Sequence, residues 1–280
     1  MVHGGFGAEH SYLIDPLLSP APPGADSLLT FAALVGDLES LRVELGLDRL
    51  TLLGHSMGAA IAYGYLDRHP DRVRGLVALS GALPAWVDDF DGPPSDDRLV
   101  PPSDSAAARA RFARFNAEAA ARMAAVRASE GLADPDTLSL AAIASTPGAS
   151  RAGFAWYRIA AAAYNLCHAE RWRLLRGMGR AYYRQSAPDA ILSDVNLPAV
   201  RAAWDRMLPA LDAFEGPVAF VVGDCDYLGP GAAMMGRLAG RLRDATFRAV
   251  PDAGHVAWID APDETMAALD AALRHAAGRP

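Results

Sequence analysis

The sequence of 280 residues predicts an α/β fold, in which a mostly parallel sheet is flanked by helices and interrupted by a helical cap insertion. Short apolar segments alternate with helix-like segments in the first and last parts of the chain, as expected for buried parallel strands. Residues 84–197, in contrast, contain no convincing strand and are rich in alanine and arginine. We therefore expect a core of residues 1–83 and 198–280 and a cap of residues 84–197.

The chain begins with a glycine-rich loop, residues 3–7 (HGGFG). Where such a loop follows a strand, the absence of side chains lets a backbone N–H approach a reacting carbonyl. Only Met1 and Val2 precede this loop, and residues 19–26 (SPAPPGAD) are too rich in turn-forming residues to be a central strand. The sequence therefore predicts no sheet strand before residue 27.

The segment from Ser27 to Leu47 predicts an amphipathic helix that packs on the sheet and closes at Gly46. Charged residues separate its leucines, which recur at helical spacing and define the expected buried side. These leucines are Leu34, Leu38, Leu41 and Leu45.

The most informative segment runs from Arg49 to Pro70, where a serine lies between a strand and a helix. The apolar run 50–53 ends abruptly at Gly54, and the residues from Ala59 onward favour a helix that stops near the proline. Between them, GHSMG matches G-x-S-x-G, the nucleophile elbow, in which a strained serine backbone presents its hydroxyl at the end of a sheet. The pattern therefore predicts Ser56 as a nucleophile.

The two neighbours of Ser56 have different predicted roles. The helix that begins after the serine directs unpaired N–H groups at the same place, so we expect the Met57 N–H to stabilise a developing oxyanion. The side chain of His55 points elsewhere from such a turn. We therefore interpret His55 as a packed structural residue and not as the catalytic base.

Further core elements follow the elbow helix. Arg72 to Ser80 predicts the next buried strand, and the chain returns from the cap with a helix from Ala199 to Phe214. A strand over residues 217–222 then precedes two aspartates, Asp224 and Asp226. A serine hydrolase needs an acid here, because the imidazole that takes the serine proton must be held in one tautomer.

The last strand, Ala245 to Val250, is followed by the loop of His255 and by a helix from Asp263 to Ala276. Among the seven histidines, only His255 combines a loop after a strand, an adjacent glycine and a position after both the serine and the aspartates. The sequence therefore predicts a serine, an acid and a histidine in the chain order typical of one particular fold.

The glycine-rich loop, the elbow and this order resemble the α/β-hydrolase superfamily, and specifically the proline iminopeptidase-like serine hydrolases. The resemblance implies that Asp226 is the triad acid, because Gly223, Asp226 and Pro230 match the family pattern G-x-x-D-x-x-x-P. It also implies that the Gly5 N–H is the second oxyanion donor, beside that of Met57.

The resemblance has consequences beyond the triad. The family's histidine loop carries a following acid and proline, here Asp260 and Pro262. Two strands that the family places beside the elbow strand are missing, so we expect that strand to form a sheet edge and the chain to be an incomplete version of a longer protein.

The resemblance also implies that the cap covers the active site. Its aromatic residues are candidates for lining the pocket or for packing within the cap: Trp86, Phe154, Trp156, Tyr157, Tyr164, Trp172, Tyr182 and Tyr183.

Composition excludes other classes of function. A net charge of −7 argues against a nucleic-acid partner, because binding phosphates requires a basic surface. Cys167 and Cys225 have neither the spacing of metal ligands nor the pattern of a disulfide framework. No signal segment and no apolar segment near membrane-spanning length is present. We therefore expect a cytoplasmic protein that needs no cofactor or metal and acts on a small-molecule or short-peptide substrate.

The sequence leaves the substrate open. Proline iminopeptidases tend to carry an acid where this chain has Tyr227, and their elbow usually reads Gly-Gly-Ser-aromatic-Gly. An esterase, a lactonase or a carbon–carbon-bond hydrolase is therefore an alternative within the serine hydrolases. A non-catalytic or degenerate ligand-binding member of the fold is an alternative of another class, and so is cofactor-free oxidation or halide chemistry.

Overall fold

The computed structural model describes residues 31–82, 106–131, 159, 162–175, 198–226, 228 and 230–278. Within these residues, four parallel strands form one sheet in the order β1-β2-β3-β4, so that β1 lies at an edge of the described sheet. The strands are β1 (Leu50–His55), β2 (Val73–Leu79), β3 (Val218–Gly223) and β4 (Ala245–Val250). The predicted α/β fold with a parallel sheet flanked by helices is confirmed. The loop at 3–7 and the strands expected to be missing concern residues outside the described ones.

Helices lie on both faces of this sheet, and the core helices that the sequence predicts are found with small shifts at their ends. The α-helices are α1 (Phe31–Glu44), α2 (Met57–Arg68), α3 (Ala106–Glu130), α4 (Pro198–Ala213), α5 (Ala232–Arg241), α6 (Ala257–Asp260) and α7 (Pro262–Ala276). Short 3₁₀ helices span Pro70–Arg72 and Ala169–Leu174.

The two middle strands, β2 and β3, are buried almost throughout, whereas β4 at one edge of the described sheet is largely exposed. On one face the sheet packs against α1, α2, α4 and α5, and the large side chains of Trp204 and Phe220 are fully buried there. On the other face, the small side chain of Ala272 in α7 packs with Val77 and Val221. Burial on both faces explains why β3 and most of β2 are continuous apolar runs that do not alternate with polar residues.

The register of the strands brings their carboxyl ends to one edge of the sheet. Leu79 of β2 pairs with both His55 of β1 and Val221 of β3, and Gly223 pairs with Val250 at the end of β4. The loops after β1, β3 and β4 therefore leave the sheet side by side. This is the edge at which open α/β sheets place their ligand sites, and the three loops carry the predicted site residues.

The predicted helix before β1 is present as α1, and the first half of its predicted buried side is confirmed, whereas the second half was predicted wrongly. Val35 is buried, with Leu34 and Leu38 partly buried beside it. Leu41 and Leu45 are 51% and 59% exposed. Among the described elements, α1 packs mainly against α2, and it ends at Glu44, so that Leu45 lies beyond the helix.

The described cap residues, within 106–131, 159 and 162–175, are helices and turns with no strand. They share a buried apolar cluster that includes Ile159, Leu166 and Trp172, together with Val256 from the core. Trp172 is therefore a packing residue of the cap, while Tyr164 is half-buried. The other six candidate pocket aromatics lie outside the described residues, and the boundaries 84 and 197 stay a prediction.

Candidate active site

Ser56 occupies the sharp turn between β1 and α2. Its backbone has φ 55° and ψ −125°, a conformation that is unfavourable for a residue with a side chain. The turn is held by backbone hydrogen bonds. The Ser56 N–H donates to the Leu79 carbonyl at 3.1 Å, and the Ser56 carbonyl accepts from Ala59 and Ala82 at 3.0 Å each. The half-buried serine is thus fixed at the end of β1.

Gly54 allows the start of α2 to approach the end of β1. A Cβ atom at this position would lie 2.5 Å from the Ala59 nitrogen and 2.5 Å from the Gly58 carbonyl carbon. These are backbone atoms, which cannot move aside as a flexible side chain could. The first glycine of the elbow is therefore a steric requirement of the turn.

His255, in the loop after β4, pairs with Asp226, in the loop after β3. His255 Nδ1 lies 3.0 Å from Asp226 Oδ2 and 3.1 Å from Oδ1, and both side chains are almost completely buried. Because a carboxylate only accepts, this contact places the proton on Nδ1 and leaves Nε2 as the acceptor. The Leu228 N–H donates to Asp226 Oδ1 at 3.0 Å. Asp224, the alternative acid, is exposed.

His55 joins the elbow to the histidine loop. Its Nε2 lies 3.1 Å from the backbone carbonyl oxygen of His255, to which it donates, and the two rings have centroids 4.9 Å apart. The His55 ring also meets Trp258 edge-on at 4.9 Å. The residue directly before Ser56 therefore contacts His255, which brings the serine turn beside the His255–Asp226 pair.

The predicted site residues are thus only partly in direct contact. His255 and Asp226 are hydrogen-bonded, whereas in the described part of the chain no hydrogen bond joins the Ser56 hydroxyl to the His255 ring. Met57 is the first residue of α2, so its N–H has no acceptor within the helix. Gly5 lies outside the described residues.

Sequence reasoning missed a disulfide. The structure joins Cys167 of the cap to Cys225, with their Cα atoms 5.6 Å apart, and this corrects the expectation that the two cysteines form no disulfide framework. The residues are 58 positions apart, and no local pattern marks such a pair. It lies beside the site, because Cys225 directly precedes Asp226.

Two clusters of described residues have the donor types of a metal site, but both depend on a sulfur of this disulfide. They are Cys167 with Asp224 and Cys225, and Cys167 with His168 and Asp252. The thiolate is the form of cysteine that ligates metals, and a disulfide sulfur is not a thiolate. Neither cluster therefore offers a complete donor set. Among the described helices, none combines the length and the apolar character needed to cross a membrane.

Comparison with known proteins identifies the family of this chain. Residues 15–262 match the family described as alpha/beta hydrolase fold. A proline iminopeptidase of Saccharolobus solfataricus is 33% identical over 99 residues, which cover 29% of this chain and 32% of that protein. Epoxide hydrolase 2 of Siraitia grosvenorii is 45% identical over 60 residues, which cover 21% of this chain and 19% of that protein. The aligned residues thus span a minor part of each relative's length.

Solved structures agree on the fold. A proline iminopeptidase-related protein from Thermus thermophilus aligns with a TM-score of 0.54 at 24% identity, covering 99% of this chain and 89% of that chain. An α/β-fold family hydrolase from Bacillus anthracis str. Sterne aligns with a TM-score of 0.56 at 14% identity, covering 89% and 77%. The parallel sheet, the serine turn after β1 and the match over residues 15–262 lead to one conclusion: this chain belongs to the α/β-hydrolase fold family.

Proposed function

We propose that this chain is a serine hydrolase that cleaves an ester or an amide through an acyl-enzyme. Ser56 is the nucleophile, His255 the general base and Asp226 the acid that orients it. The observation that carries the proposal is the hydrogen bond from His55 to the His255 carbonyl, since it joins the strained serine turn to a buried imidazole–carboxylate pair. Membership of a family whose named relatives include hydrolases supports it.

In the proposed reaction, His255 Nε2 takes the proton of the Ser56 hydroxyl as Oγ bonds to the acyl carbon. Asp226 stabilises the resulting imidazolium through Nδ1. His255 then gives the proton to the departing alcohol or amine, and an acyl ester remains on Ser56. Water then loses a proton to His255 as its oxygen bonds to the acyl carbon. The bond from that carbon to Oγ breaks, the carboxylic acid leaves, and His255 returns the proton to the serine oxygen. The first step needs the hydroxyl and Nε2 to come into hydrogen-bonding distance, a contact that often tightens only when substrate binds.

The oxyanion formed on attack would lie at the amino end of α2. The Met57 N–H and the positive end of the helix dipole stabilise negative charge at this point. The Gly5 N–H is proposed as the second donor, as the resemblance to the iminopeptidases implies. Such fixed donors stabilise the negative charge as it develops on the carbonyl oxygen.

Covalent labelling tests the nucleophile. A fluorophosphonate probe should modify the wild-type protein and should not modify Ser56→Ala, because the probe reacts with an activated serine. Ser80→Ala is the matched control, since Ser80 also follows a strand with a positive φ of 43° but is fully buried. We expect the probe to label Ser80→Ala at the wild-type rate. A folded wild-type protein that takes no label would contradict the proposal and favour a non-catalytic ligand-binding member of the family.

A substrate panel then separates the classes of bond. Nitrophenyl esters of increasing acyl length and prolyl arylamides would be compared at equal enzyme concentration. Cleavage of prolyl arylamides would support a proline iminopeptidase-like aminopeptidase. Cleavage of the esters alone would reject that substrate class and leave an esterase, which is equally compatible with the proposed mechanism.

A further inference from the structure

We propose that Asp260 is a positioning residue for His255 and acts through the cap segment Asn165–Cys167, an inference that rests on the proposed function. The carboxylate of Asp260 is fully buried, and its Oδ2 accepts two backbone hydrogen bonds. One comes from the N–H of Gly254 at 2.9 Å, and the other from the N–H of Cys167 at 2.7 Å. A single oxygen atom thus joins the residue directly before His255 to the cap.

The same cap segment bonds to the residue directly after His255. The Val256 N–H donates to the Asn165 carbonyl at 3.0 Å. The residue directly before His255 also packs closely against the cap segment. A Cβ atom on Gly254 would lie 2.6 Å from the Asn165 oxygen and 2.7 Å from the Cys167 nitrogen. The main chain on both sides of His255 is therefore held against the cap.

The segment also holds the loop that carries Asp226. Its Cys167 is disulfide-bonded to Cys225, and the Cys225 N–H donates to the Ala253 carbonyl of the histidine loop at 3.1 Å. The cap segment is therefore linked to both sides of the His255–Asp226 contact. The distance between the His255 imidazole and the Asp226 carboxylate therefore depends on the position of the cap segment.

The cap segment is itself anchored by arginines. Arg122 of α3 donates from Nη1 to the Ala163 carbonyl at 2.7 Å and from Nη2 to the Cys167 carbonyl at 2.9 Å. Arg171 donates to the Asp260 backbone carbonyl at 2.9 Å and lies 3.8 Å from its Oδ1. Asp260 therefore has backbone donors on one oxygen and a cation near the other, which offsets the cost of burying its charge.

These contacts separate the role of Asp260 from that of Asp226. Asp226 touches the imidazole, whereas the bonds of Asp260 go to the main chain on either side of it. Loss of the Asp260 carboxylate should therefore disturb the orientation of His255 and lower kcat, with little effect on KM.

The test compares Asp260→Ala and Asp260→Asn with a control, Glu130→Gln. Glu130 bonds Arg173 and Trp172 of the same cap region without contacting the histidine loop. We expect Asp260→Ala to lower the fluorophosphonate labelling rate and kcat about 10- to 100-fold at similar KM. Asp260→Asn should restore most of the rate, because its amide oxygen can accept both N–H groups. Glu130→Gln should react at the wild-type rate.

A second readout is independent of activity. The ¹H–¹⁵N signal of the His255 Nδ1–H, assigned with a His255→Gln variant, should shift or broaden in Asp260→Ala and stay in place in Glu130→Gln. A folded Asp260→Ala with the wild-type signal and labelling rate would overturn the proposal. If wild-type protein takes no label, the proposed hydrolase function fails, and the His255 signal alone decides the positioning role.

A third variant covers the case in which Asp260→Ala does not fold. The double variant Cys167→Ser/Cys225→Ser removes the other link between the cap segment and the site. It should label more slowly than wild type and alter the same His255 signal. Unchanged labelling and an unchanged signal in this variant would reject the cap segment as the support of the pair.

Discussion

The imidazole of His55 donates a hydrogen bond to the backbone carbonyl oxygen of His255, at 3.1 Å. Both side chains are buried, and they belong to residues 200 positions apart in the chain. The residue before the proposed nucleophile therefore fixes the backbone of the proposed base. This bond is a direct target for mutation.

His55→Phe keeps a ring in contact with Trp258 but leaves the His255 carbonyl without its donor. We expect it to lower the free energy of unfolding by about 1–3 kcal/mol, the cost of an unsatisfied buried polar group. His55→Gln keeps an N–H donor and should lose less. Urea denaturation gives both values, and equal losses in the two variants would show that the hydrogen bond is not responsible.

Gly54→Ala places a Cβ atom 2.5 Å from backbone atoms of α2. It should destabilise the protein by about 3 kcal/mol or more, because the elbow cannot open without moving the helix. Gly240→Ala is the matched control, since a Cβ atom there meets nothing within 4 Å and lies in α5. That control should stabilise the protein by about 0.5–1 kcal/mol. Thermal denaturation of both variants and of the wild type measures these changes in stability. A Gly54→Ala protein as stable as wild type would contradict the steric argument.

Glu39 of α1 should remain ionised in unusually acidic solution. Hydrogen bonds from Arg42 and, to a smaller extent, from the Tyr65 hydroxyl at 2.6 Å lower the pKa of Glu39 from 4.5 to about 2. Because the folded-state pKa is the lower one, this contact stabilises the protein above about pH 4.5, and its contribution is lost as pH falls from there through about 2.

A ¹³C NMR titration of the Glu39 carboxyl checks this value. Tyr65→Phe should raise the pKa of Glu39, and Arg42→Gln should raise it further, because the arginine is the larger cause. If the pKa is the same in wild type and in both variants, the hydrogen bonds are not its cause.

The Cys167–Cys225 disulfide should contribute measurable stability. It closes a loop of 58 residues, for which restriction of the unfolded chain amounts to about 4 kcal/mol. We expect Cys167→Ser/Cys225→Ser to lower the free energy of unfolding by about 2–4 kcal/mol. Urea denaturation of wild type and variant measures this difference. A count of free thiols in unfolded wild-type protein, without reducing agent, checks that the disulfide is formed. Detection of two free thiols there would contradict the disulfide itself.

The sequence predicted best what depends on neighbouring residues. The elements on either side of Ser56 are defined by an apolar run, two glycines and a helix-favouring segment, all within one short stretch. The order of the core strands and helices follows from similar local patterns. The resemblance then selected Asp226 over Asp224, and the structure places that carboxylate against His255.

What the sequence could not predict depends on distant partners. The spacing of Leu41 and Leu45 indicates a helix, but it carries no information on how far the neighbouring helix extends to cover them. The pairing of Cys167 with Cys225 needs the cap to meet the end of β3, which no local pattern records. The histidine loop did offer one signal, since Asp260 was part of its motif, but its contact with Cys167 follows only from the fold.

The backbone of Ser56, with φ near 55°, has one more consequence. Glycine would adopt this conformation at lower cost, whereas a residue with a side chain loses about 1–3 kcal/mol in such a region. Selection for stability of the folded state alone would therefore replace Ser56 with glycine and remove the hydroxyl. At this position, durability of the folded chain and the proposed chemistry favour different amino acids.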